Sequence, residues 1–171
     1  HLAVLNSKTS IKRDIDKIHV KIQMAVERMP LTVLHDYIQR NPDSPQTPLA
    51  KDRVRRFITE GATRLNPVEM EFALQNYRAE CDAEQIYRAL IDFYNARSGY
   101  NAKVIELIET LAREFPQSQA FPDRKVRLVY LYQEKYRSTK TKEDFDSAVK
   151  WAEHIIAQHP NNPAAIRAKY L

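Results

Sequence analysis

Apolar residues along most of this chain recur at steps of three and four, the spacing that gathers them on one face of an α-helix. Prolines and short polar runs interrupt the pattern at intervals. The clearest stretch lies near the end. Phe145, Ala148, Val149, Ala152, Ile155 and Ile156 share a face, and Ala148 and Ala152 are small enough for a neighbouring helix to come close. Pro160 stops this helix because it lacks an N–H and its ring clashes with the preceding turn. Asn162-Pro163 then caps and opens the next helix.

Taken in order, residues 1–10 show little periodicity and read as a lead-in segment. A long helix is expected from Ile11, where Ile11, Ile15, Ile18, Ile22, Ala25 and Met29 form a heptad-like seam. Three heptads are short for a free-standing coiled coil, so the seam is read as a repeat helix packing on its neighbour. Leu31, Val33, Leu34, Tyr37 and Ile38 continue after Pro30 and stop at Asn41-Pro42, which makes 11–45 one helix pair. Thr47-Pro48 offers an N-cap and a first-turn proline for a helix using Val54, Phe57 and Ile58. Asn66-Pro67-Val68-Glu69 supplies a capping box for the next, completing 48–81. A second capping box, Asp82 to Gln85, opens a pair over 82–118 that turns at Gly99-Tyr100. The fourth pair covers 122–162 around a loop at 138–142, and a fifth begins at 163–171.

The stops Pro42, Pro116 and Pro160 lie 74 and 44 residues apart. The first interval fits two units and the second fits one unit with a longer loop, a period typical of helical solenoids. In such arrays one pair cannot cover its own apolar faces, so neighbours complete it. Composition agrees: two glycines in 171 residues are too few for the turns of a strand-rich domain or for a phosphate loop. The expected fold class is therefore all-α. A single cysteine, Cys81, excludes an internal disulfide and is read as a small apolar filler at a helix end. There is no apolar run near the length of a membrane span.

The pair at 82–118 resembles a tetratricopeptide repeat. Tyr87, Leu90, Ile91 and Tyr94 fall at that family's first-helix positions, Gly99 and Tyr100 at its turn, and Val104, Ile108, Leu111 and Pro116 on its second helix and stop. Ile91 and Val104 stand where the family uses smaller residues, which implies helices set further apart. The resemblance covers 83–171, and "helical repeat" describes 11–82. It implies a right-handed superhelix of antiparallel helix pairs, a TPR-like α-solenoid, with a concave groove. It also implies that Gln85, Arg88, Asp92 and Asn95 line the groove, together with Arg55, Thr59, Gln133 and Tyr136. Relatives that grip chaperone C-termini use Lys or Arg followed four later by Asn. Arg88 is followed by Asp92, whose charge repels a carboxylate, so that ligand is disfavoured.

Chemistry is sparse. No phosphate loop, HExxH, cysteine pair or nucleophile elbow occurs, so neither a catalytic constellation nor a cofactor or metal site is expected. His154 and His159 are five apart, off ligand spacing for one helix face. Glu106, Glu109 and Glu114 read as solvated, and Glu143, Asp144 and Asp146 sit at a helix start, where the dipole favours acid. The net charge of +5 is spread along the chain. One basic cluster is Lys51, Arg53, Arg55 and Arg56. A second comprises Arg124, Lys125, Arg127, Lys135 and Arg137, followed by Lys140 and Lys142 and interleaved with Tyr130, Tyr132 and Tyr136. Three functions follow as expectations. The first is a non-catalytic scaffold holding a protein or peptide partner. The second is a repeat binding RNA or another polyanion through the 124–137 cations. The third is the periplasmic repeat portion of a polysaccharide-export or secretion apparatus, suggested by fragment-like ends and a tyrosine-rich polar groove.

Overall fold

The computed structural model describes residues 2–61, 65–118 and 121–169. All regular structure among them is α-helical, and no helix is long and apolar enough to cross a membrane. The chain divides into two compact units, His1–Ala83 and Glu84–Leu171. The boundary falls at the start of the pair opened by the Asp82 capping signal.

The first unit contains α1 (Leu2–Arg28), α2 (Leu31–Arg40), α3 (Thr47–Glu60) and α4 (Pro67–Asn76). Helix α1 takes in residues 2–10, which the hydrophobic pattern leaves as a lead-in. Leu31 and Leu34 are fully buried one turn apart on α2, which packs on α3 and α4, where Ala50, Val54, Ile58, Met70 and Ala73 are also buried. Asn66 caps α4 as expected, its Oδ1 accepting from the Glu69 N–H at 3.0 Å. The Glu69 carboxylate accepts from the Asn66 side-chain amide at 2.7 Å, and its Oε1 also accepts from the Leu31 N–H at 2.9 Å. It thereby satisfies a donor at the α2 N-terminus, which Pro30 cannot cap with a side chain. His35 meets Phe72 and Tyr77 further along, so α2 and α4 run in the same direction. Thr47 lies inside α3 rather than at its N-cap, a place taken by Gln46. The Thr47 hydroxyl instead donates to the Asn41 carbonyl and ties down the preceding turn.

The second unit contains α5 (Ala83–Asn95), α6 (Asn101–Glu114), α7 (Phe121–Thr139), α8 (Lys142–Gln158) and α9 (Pro163–Lys169). Helices α5 and α6 form an antiparallel pair: Tyr87 meets Phe115 at one end and Tyr94 meets Tyr100 at the other. Gly99, at φ +89, makes the turn between them, a conformation that a side chain resists. Helices α7 and α8 approach much more closely, with Ala148 buried against Val126 and Val129. Their connection is tighter than the sequence suggests. Only Lys140 and Thr141 separate the helices, and Lys140 takes the left-handed φ of 57. Helix α9 presses Ala164, Ala165 and Ala168 into the same cluster, beside Trp151 and Ala152. Phe145 and Val149, counted on the apolar face of α8, are exposed by 51% and 40%, so only part of that face is core. Trp151 packs on this cluster, whereas the Tyr87 ring lies against Phe115.

Candidate functional site

In the first unit, α2, α3 and the segment after α4 enclose an open cleft of about 470 Å³. Its floor follows from helical spacing on α3. Val54 and Ile58 are one turn apart and buried, and Lys51, Arg55 and Thr59 form the adjacent line, exposed along the rim. Two expected groove residues, Arg55 and Thr59, are thus brought together here. The Arg55 guanidinium donates to Asp52 at 2.5 Å, and the Thr59 hydroxyl to the Arg55 carbonyl at 2.9 Å. Ile38, His35 and Tyr77 build the other wall. His35 Nδ1 lies 2.6 Å from the Tyr77 hydroxyl. Burial, with the Glu80 charge adding to it, pushes the Tyr77 phenol above its usual range and keeps it a neutral hydrogen-bonding group. An apolar floor with a few polar groups at its edge suits a side chain or short segment of a partner, which buries its apolar part and keeps its polar part wet.

Two cations of the first basic cluster turn elsewhere. Arg53 and Arg56 converge on Glu27 of α1, at 3.2 and 2.5 Å, and fasten α1 to α3. Lys51 is left on the cleft rim.

In the second unit Gln85, Arg88, Asp92 and Asn95 form an exposed line along α5. It is not an open polar stripe. Arg88 lies 3.7 Å from Glu84. Asp92 accepts from both terminal nitrogens of Arg124, at 2.6 and 3.2 Å, and Asn95 accepts from Arg127 at 2.7 Å. Both contacts join residues 32 apart, so α5 and α7 run parallel. Gln133 and Tyr136, further along α7, are half-buried, with the Tyr136 ring against Phe145 of α8.

The cations of the second cluster do not share a face. Arg124 and Arg127 are spent on α5. Lys125 is buried, its Nζ 2.9 Å from His154 Nε2 on α8. Burial lowers the ammonium pKa of Lys125, and burial followed by the Lys125 charge lowers that of His154. Lys135 pairs with Asp144 at 2.7 Å, while Arg137 is exposed.

Asp144 itself is almost wholly buried. The Lys135 ammonium, the Thr139 hydroxyl at 2.6 Å and the Thr141 hydroxyl at 2.7 Å hold its carboxyl down to about 2. The placing of Asp144 at a helix start was legible in the sequence. The return of Lys135 across the turn was not. Glu109, expected to be solvated, is half-buried and accepts from the Tyr132 hydroxyl at 2.8 Å and from Trp151 Nε1 at 3.4 Å. Cys81 is a free, half-buried thiol in the turn before α5 rather than in a helix end.

No protein-family model, curated protein or solved structure matches the chain.

Proposed function

We propose that the chain is a non-catalytic scaffold or adaptor whose stacked helix pairs, TPR-like in arrangement, hold a segment of a partner protein. The observation that carries this reading is the α2–α3 cleft. It pairs an apolar floor of Val54 and Ile58, faced by Ile38 on the opposite wall, with a rim of Lys51, Arg55 and Thr59. That combination favours an apolar side chain followed by a polar or acidic group over a purely charged polymer. The parallel run of α5 beside α7 adds support for repeat stacking within the second unit.

The polyanion reading has weaker support. Binding to phosphates draws on cations that face one open surface, and here Arg124, Arg127 and Lys135 are already engaged while Lys125 is buried.

The test is site-directed photocrosslinking in the native organism. A photoreactive residue at Thr59 should capture a protein partner, and capture should fall when Arg55→Glu or Ile58→Asp is added. A crosslinker at the remote exposed position Val68 should capture much less. If capture at Thr59 is indifferent to both cleft substitutions, or if the main adduct is nucleic acid with strong salt dependence, the adaptor reading is wrong.

A further inference from the structure

Along α1, residues 12–21 and residues 22–28 meet different surroundings. Towards its end Val26 is buried, and Ile22 and Met29 are half-buried, facing Tyr37 and Ala50 across an apolar cleft of about 210 Å³. The same line of residues then runs out along the helix without cover. Ile15 and Ile18 are exposed by 46% and 56%, and every residue from 12 to 21 is exposed. A helix of this kind gains little stability from its own backbone, so its exposed seam is best satisfied by another helix.

We propose that this seam pairs antiparallel with the α1 helix of a second copy of the chain. Two features select that occupant. First, isoleucines at 11, 15, 18 and 22 are spaced four, three and four, a pattern that reads the same in both directions. An antiparallel copy therefore sets Ile15 against Ile18 of the second copy, and position 11 against position 22, in consecutive layers. The two-fold axis repeats each layer, as a closed isologous interface requires.

Second, the charges beside the seam are self-complementary in that register. Asp14 of one copy falls beside Lys21 of the other, and the symmetry makes the contact twice. On the opposite flank Lys12 comes beside His19 and adds no attraction. A parallel pairing aligns Asp14 with His19 and leaves Lys21 opposite Val26, so it loses both favourable contacts. Asp14 is free to change partner, since its present ion pair with Lys17 is long at 3.7 Å and both side chains are about two-thirds exposed. The apolar cleft beneath Ile22 continues the seam, so the interface would extend the one α1 already makes within its own unit.

The experiment is analytical ultracentrifugation of the full 171-residue chain over a concentration series. A monomer–dimer equilibrium is expected. Ile15→Asp with Ile18→Asp should abolish the dimer while the melting temperature and helical circular dichroism stay near those of the parent, because both positions are exposed. Asp14→Lys alone and Lys21→Asp alone should each weaken dimerisation by roughly tenfold, since two attractive contacts become two repulsive ones. Mixing these two variants should restore a heterodimer, because each copy then presents a single sign to the other at positions 14 and 21. A chain that stays monomeric up to about 200 µM overturns the proposal. So does a dimer that survives the double aspartate change. Failure of the mixture to recover overturns the antiparallel register.

Discussion

Replacing Ile155 by Ala deletes three carbons at the centre of the α7–α8–α9 cluster, where Ile155 has no exposed surface. At about 0.8 kcal/mol per buried methylene, the lost transfer energy is about 2.4 kcal/mol. The cavity adds to this, because surrounding side chains relax only partly, and such deletions cost about 2–5 kcal/mol in all. Neighbouring Ala148, Ala164 and Ala165 are short and cannot swing in to fill the space, so a value of about 3 kcal/mol or more is expected. The assay is urea unfolding followed by fluorescence of Trp151, the only tryptophan, which belongs to the same cluster. With a slope of about 1–2 kcal/mol per molar urea, the midpoint should fall by about 2 M. Val149→Ala on the same helix is the control. Val149 is 40% exposed, and its truncation should cost less than about 1 kcal/mol. A loss below about 1 kcal/mol for Ile155→Ala, or equal losses for the two variants, would falsify the placement of the core on the Ala148–Ile155 side of α8.

Three further outcomes follow. Lys140→Gly relieves the left-handed backbone at the α7–α8 turn and should stabilise the second unit by about 0.5–1 kcal/mol in the same assay, although it makes the unfolded chain more flexible. Asp144 binds its proton less readily folded than unfolded, its carboxyl being held at about 2 against an ordinary 3.8. Its contribution is therefore fully present above about pH 4 and lost as pH falls towards 2. Asp144→Asn should lower the urea midpoint at pH 7 and flatten the parent's loss of stability between those limits. His154 has its pKa lowered from the ordinary value by partial desolvation, with the charges of Lys125, His159 and Lys150 reinforcing this. Its contribution is complete above the ordinary value of 6.5 and declines as pH falls below it, because the unfolded chain takes up the proton first. Urea midpoints at pH 7.5 and 5.5 should differ in that direction, and His154→Phe should narrow the difference.

Where helices begin and end was largely legible from residues alone. Proline and glycine act through their own backbone chemistry, whatever surrounds them, so Pro30, Pro67, Gly99 and Pro163 marked the boundaries that the structure places there. Periodicity likewise identified Leu31, Leu34, Leu90, Ile108 and Ile155 as core, since burial of one helical face is a local pattern. The same pattern could not separate Ile155 from Val149 or Ile22 from Ile15. Those differ only in whether another helix arrives, which depends on contacts distant in sequence. The polar residues show this most clearly. Arg124, Arg127, Lys135 and Glu109 look solvent-facing in one dimension, yet each reaches another helix and acquires a partner there. The sequence by itself determined that the chain is built from amphipathic helices, because helix propensity and apolar spacing act over a few residues. Only the tertiary structure decided which charges remain free and where a cleft opens, because a long side chain's partner is set by the packing of helices rather than by its neighbours along the chain.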